Sequence, residues 1–287
     1  MTAVALACVS AFLFGAMSVG LRMGLQRNPD AELATVATVA TALVVVLVAA
    51  ALEAPARGIH AAAAWPFFLT GILHPGLGMV LVILAVREVG ASRSSVAFGA
   101  APLVSVTIAL LILGEPLSAA LLVGALLIVA GGIELARERT RPEHVRRIGY
   151  AFAAGAVVLF AARDNVLRWL SQDTTAPPAV AGAAALVGGL LVIAVLLGPR
   201  LRGRPVLRES LPFLAVGALF GLSYVALFEA YYRGRVTVVS PLIATESLWG
   251  VALSLLLIRH TELVGRRVVL GALLVVAGGV LIGINAG

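Results

Sequence analysis

The ionisable residues set deepest in the apolar stretches of this chain are Arg163, Asp164, Glu229 and Glu246. A charge held in hydrocarbon costs a few kcal/mol, so each is a functional candidate by default. Asp164 is followed four residues on by Arg168, and Glu229 by Arg233, the spacing that pairs opposite charges on one helix face. Glu246 differs. It lies at the middle of its apolar run, within Pro241 to Gly250, with no basic residue inside a helical turn. Arg163 has no acid three or four residues away, and the neighbouring Asp164 points off another helix face. At about 1.5 Å per residue, Glu246 falls near mid-run and Arg163 roughly 7 Å nearer one end, a difference that an Arg side chain spans. The chemistry expected is recognition. Arg163 would fork onto a carboxylate, while Glu246 would hold an ammonium group or carry a coupling proton. The plainer alternative is a salt bridge between helices that touches no ligand.

Other side chains surround these charges in sequence. Trp249 is one turn beyond Glu246 on the same face, where its ring would stack on a cation. His74, in His74-Pro75-Gly76-Leu77-Gly78, is a proton acceptor by type, although a lone His more often satisfies a neighbouring backbone group. Tyr224 shares a face with Tyr231 but lies about 140° from Glu229, so it is expected to contact another region. Tyr231 and Tyr232, near a helix end, read as membrane-interface anchors. Pro241 precedes Glu246 by just over a turn, and Pro102 and Pro75 interrupt two further runs. Breaks of this kind free backbone groups that must line a cavity or be paired again, so they point toward a binding site.

Bond-making chemistry finds little here. There is no D-x-x-x-D or H-E-x-x-H spacing, no G-x-S-x-G, and no pair of His in register. No phosphate loop is present either, which argues against a pump driven by ATP, and no cofactor or metal is expected. A membrane-embedded enzyme and a non-transporting scaffold remain as alternative classes.

Composition says what surrounds the elements that position these residues. Apolar residues make up 61% and charged ones 12% of 287 residues, with a mean hydropathy of +1.07. A soluble domain carries about 25% charge, so lipid must be the main solvent. The net charge of +7 is all Arg, without Lys, and most of it sits between apolar runs, leaving no exposed basic domain for nucleic acid. The lone Cys8 excludes a disulfide framework or a thiolate metal site. The run that holds Cys8 lacks the basic start of a signal peptide and reads as structural.

Ten spans of helix-forming length follow, at roughly 3–25, 32–53, 63–86, 91–113, 117–136, 148–170, 177–198, 211–232, 236–258 and 265–284. Small residues recur every fourth position, as in Ala16-Gly20-Gly24 and Ala97-Ala101-Ser105-Ala109, a pattern that lets helix backbones approach closely. The gaps on one side hold fifteen Arg and those on the other four, which by the positive-inside rule places both termini outside the cytoplasm.

The chain also reads twice. Leu113-Gly114-Glu115-Pro116-Leu117 leads to Gly124-Ala125-Leu126-Leu127-Ile128-Val129-Ala130-Gly131-Gly132; 147 residues after Glu115, Glu262 leads to Gly271-Ala272-Leu273-Leu274-Val275-Val276-Ala277-Gly278-Gly279. Pro66-Phe67 matches Pro212-Phe213, Gly71 matches Gly217 and Arg22 matches Arg168, with a one-residue slip. Two repeats are expected, 1–140 and 141–287, and five spans in each would invert the second copy. Glu115 and Glu262 each precede a span, where a carboxylate meets the positive end of a helix dipole.

These motifs resemble the EamA-type transporters of the drug/metabolite transporter superfamily. The resemblance implies an all-α integral membrane protein of ten helices in two inverted five-helix repeats. It also implies a central cavity between the halves, with exporters of amino acids, other small metabolites or drugs, usually coupled to an ion gradient such as protons or to an exchanged solute. It implies a prokaryotic cytoplasmic membrane, and termini in the cytoplasm where the Arg tally places them outside. The charges do not follow the repeat. Asp164 aligns with Ser18, Glu229 with Ile83 and Glu246 with Gly99, so the second half is expected to build most of the site, for a cationic or zwitterionic solute.

Overall fold

Apolar segments that leave water must satisfy every backbone N–H and C=O within themselves, and here they do so as helices. The structure, a computed structural model, describes residues 2–89, 97–98, 100–116, 118–136, 147–201, 206–257 and 266–285. Its main helices are α1 (Thr2–Arg27), α2 (Ala31–Arg57), α3 (Gly78–Val89), α4 (Ala101–Ile112), α5 (Ala119–Ala136), α6 (Ile148–Gln172), α7 (Pro178–Leu197), α8 (Leu214–Arg233), α9 (Val236–Ile243), α10 (Glu246–Leu257) and α11 (Arg266–Ile284). Short helical turns from Ala61 to Leu77 lead into α3. No strand occurs among the described residues.

Seven of the ten expected spans are long and apolar enough to cross a bilayer. The other three positions hold shorter apolar helices, Ala101–Ile112, Ala119–Glu134 and Val269–Ile284. The start of the expected fourth span, 91–96, lies outside the described residues, as do the second hairpin with Glu262 and most of the Arg137–Arg147 boundary. Local chemistry explains several ends. Asp30 caps α2 by accepting from the Leu33 amide at 2.9 Å. Gly58 closes the same helix at φ 75°, a conformation open to glycine without strain.

Two spans are broken. In the third, His74 adopts an extended φ of −155° and ψ of 126° inside the run, before helix resumes at Gly78. In the ninth, α9 stops at Ile243, a turn covers Ala244–Thr245, and α10 begins at Glu246. Pro241 therefore sits inside α9, and the interruption falls three residues later than the proline. A proline removes its own N–H, which weakens the turn around it without dictating where the helix ends. Pro102 lies in the first turn of α4, where a missing N–H costs nothing.

The packing exchanges the two halves. α1 lies against α8 and α10, while α6 lies against α3 and α4; α2 packs on α7, and α5 on α11. The small-residue stripes serve these contacts. A Cβ placed on Gly24 would stand 2.8 Å from the Phe213 ring, and one on Gly15 would stand 2.8 Å from the Gly250 amide nitrogen. The repeated Gly-Ala-Leu-Leu element packs on its own second copy: a Cβ on Gly278 would stand 2.5 Å from the Gly124 carbonyl oxygen, and one on Gly131 2.6 Å from that of Gly271. Gly278→Val is expected to force α5 and α11 apart and cost about 1–3 kcal/mol. The measurement is thermal unfolding of the purified protein in detergent, and an unchanged midpoint would contradict this close crossing.

Candidate functional site

Helix α6 supplies the centre of the site. Its residues Arg163, Asp164 and Asn165 are buried, the first two at 7% exposure, although their side chains are charged. Arg163 Nε stands 3.1 Å from Asp164 Oδ1, so the long Arg side chain folds back onto the adjacent carboxylate. This corrects the expectation that Asp164, off another helix face, points away from Arg163. The remaining Asp164 oxygen, Oδ2, accepts from Ser240 Oγ of α9 at 3.0 Å and from Ser105 Oγ of α4 at 3.3 Å. Asn165 Nδ2 donates to the Ser105 carbonyl at 3.0 Å and to the Ala161 carbonyl at 2.9 Å. Three helices from both halves thus meet on one carboxylate and its neighbours. Neither Nε nor Nη1 of Arg163 has a hydrogen-bond partner among the described residues, so the guanidinium meets Asp164 as an ion pair and keeps donors to spare.

Arg168, expected on Asp164, goes elsewhere. Its Nη1 donates to the Tyr231 carbonyl at 2.9 Å, and its Nε stands 4.0 Å from Glu115. The i,i+4 rule describes an isolated helix, and here a free carbonyl near the end of α8 and a carboxylate from another hairpin compete for the cation. Tyr231 is fully buried beside Asp164 and Ser240 and does not stand at an interface; Tyr232 donates to the Ala176 carbonyl at 3.0 Å and stacks on Phe67.

Glu246 opens α10, where the partial positive charge of a helix N-terminus favours a carboxylate. It is half-buried and close enough to Arg163 for their charges to act on each other. No hydrogen bond joins its carboxylate to the described residues. The turn at Ala244–Thr245 therefore places a half-buried carboxylate within electrostatic reach of Arg163. Trp249, one turn on, is 38% exposed and meets Phe12 of α1 edge-to-face at 5.3 Å.

His74 and Tyr224 meet each other within reach of the Arg163 charge. The Tyr224 hydroxyl donates to the His74 carbonyl at 3.1 Å and lies 3.2 Å from His74 Nδ1, while the imidazole meets Phe160 edge-on at 4.7 Å. The pair satisfies the backbone exposed by the break in the third span. Glu229 lies at the end of α8, paired with Arg233 as its spacing foretold and also with Arg57 of α2, which the sequence did not indicate. The residues that sequence reasoning passed over are Ser105, Ser240, Asn165 and Arg57. The first stood in a small-residue stripe and was read as packing; for the others no local spacing marks them.

The profile described as the EamA-like transporter family matches residues 1–134 and again residues 147–284. No curated protein matches the sequence. Among solved structures, a crystal structure described only as that of a protein is 19% identical, covers 99% of this chain and 97% of its own, and has a TM-score of 0.79. At that identity it speaks for the fold alone.

Proposed function

Since the chain belongs to the EamA-like transporter family, we propose that this integral membrane protein is a secondary transporter that exports a small metabolite by alternating access. Its ten helices form two five-helix repeats, 1–140 and 141–287, and the second enters the bilayer inverted because an odd number of spans precedes it. The interchange of contacts between halves supports that arrangement: α1 and α6, the first helices of each copy, lie on equivalent helices of the other. The location is the cytoplasmic membrane of a prokaryote, and the energy source is a proton gradient or an exchanged solute.

The observation that carries the reading is the buried Arg163, with unpaired guanidinium donors, within electrostatic reach of Glu246 at a broken helix, whose carboxylate makes no hydrogen bond to the described residues. Such an arrangement suits an amino acid or another zwitterionic or cationic solute. Arg163 takes the carboxylate where there is one, Glu246 takes the ammonium group or a proton, and Asp164 holds Arg163 in place. Glu229, His74, Tyr224 and Trp249 then support the elements around the site.

The test begins with purified protein screened for ligand-dependent thermal stabilisation by amino acids, amines and toxic analogues. Hits are carried into liposomes for counterflow, in which internal solute drives uptake of labelled external solute. Counterflow without chemical change of the solute supports a carrier. Turnover of the solute supports a membrane-embedded enzyme instead.

A further inference from the structure

One end of the bundle is held by buried carboxylates that cross between the halves. Glu115, in the hairpin after α4, is 8% exposed. Its Oε1 accepts from the Val236 amide at 2.8 Å and its Oε2 from the Thr237 amide at 2.9 Å. These are the first two residues of α9, whose own preceding residue, Arg235, gives no side-chain cap. A carboxylate of the first half therefore caps a helix of the second, when its place in the sequence suggested the helix that follows it. Arg168 stands beside the same carboxylate and ties it to the last turn of α8, where Ser171 also donates to the Tyr231 carbonyl at 3.3 Å. Arg57, the last residue of α2, meets Glu229 in that same last turn.

Helix α9 is eight residues long, so its two ends are tightly joined. Its first turn is held by Glu115, its fifth residue, Ser240, bonds Asp164, and its last residue gives way to the turn before Glu246. A rigid helix of about 12 Å carries any displacement of the capped end directly to the buried cluster. At the other end of the bundle, the pair joining Glu32 and Arg200 is largely exposed, with Arg200 at 62%.

We propose that Glu115 is a positioning residue that latches this end of the carrier shut and sets the Arg163–Asp164–Ser240 cluster through α9. Release of the two amides lets α9 tilt, opens that end, and draws Ser240 away from Asp164 in one movement. The proposal rests on the carrier reading above, but its first readout needs no substrate.

The test uses full-length protein in liposomes, with Cys8→Ser to remove the native thiol and Ala176→Cys as reporter. Ala176 is buried at this end, where its carbonyl accepts from Tyr232. The rate of labelling by a membrane-impermeant maleimide reports opening. Glu115→Gln has only one amide-accepting oxygen and no charge, and is expected to raise the rate at least about 10-fold, the loss of one charge-assisted hydrogen bond. Glu115→Asp keeps the charge but is a methylene short, and is expected to be intermediate; it stands in if the Gln variant does not fold. Ser240→Ala should speed labelling in the Glu115 protein and add nothing in the Glu115→Gln protein, because α9 is already free. Parent-like labelling in both Glu115 variants would overturn the latch, and multiplicative effects of Glu115→Gln and Ser240→Ala would overturn the coupling through α9. If labelling behaves as expected and no solute supports counterflow, the carrier reading fails while the latch stands.

Discussion

Glu246→Gln protein is expected to fold normally and to transport about 10- to 100-fold less well at limiting substrate. The carboxylate makes no hydrogen bond to the described residues, so an isosteric amide removes little that holds the fold together. What it does remove is the negative charge that acts on Arg163. A charge-assisted hydrogen bond to a substrate ammonium group contributes about 1.5–3 kcal/mol, which sets the fold-change. If Glu246 carries a coupling proton instead, concentrative transport is lost while passive exchange survives. Counterflow and gradient-driven uptake, measured side by side, separate these two outcomes. Arg163→Ala belongs in the same experiment. Near-normal transport in both variants, with intact folding, would remove the pair from the mechanism.

Asp164→Ala is expected to be the most destabilising change in the interior. It strands the Arg163 guanidinium at 7% exposure and leaves the hydroxyls of Ser105 and Ser240 without their acceptor. Breaking a buried pair from one side costs about 3–5 kcal/mol, because the surviving charge is left uncompensated. For a chain of this size the midpoint of thermal unfolding should fall on the order of 10 °C. The double variant Arg163→Ala with Asp164→Ala should recover part of that loss, since no lone charge remains. A single variant that melts within a degree or two of the parent would mean that water reaches the pair. The pair at the exposed end, Glu32 with Arg200, offers a contrast: exposed ion pairs contribute about 0–1 kcal/mol.

How far these contacts were legible in the sequence depends on their range along the chain. Glu229 with Arg233 obeyed a local rule and was found by it. Asp164 with Arg168 obeyed the same rule and was not, because Tyr231 and Glu115, from other segments, offered Arg168 better partners. Ser105 was counted among small packing residues, which it is, yet its hydroxyl also serves Asp164. Tyr231 illustrates the converse. Its place near a helix end suggested an interface anchor, but α6 and α9 cover that end and bury the ring completely.

By itself the sequence determined the solvent, the helical class, the duplication and which residues carry charge inside the apolar runs. Those properties follow from composition and from short periodic spacing, which act residue by residue. The Gly-rich repeat motif belongs to this group, since small residues at fixed intervals announce close helix contact whatever the partner. Only the tertiary structure decided which charge meets which. Glu115 caps a helix 121 residues away, Asp164 gathers serines from two other helices, and Arg57 reaches Glu229 across the halves. The physical reason is that a buried ionic group takes whatever donors the packed helices bring to it. In a bundle that interleaves two copies of one unit, the other copy supplies part of them: Ser105 to Asp164 and Arg57 to Glu229.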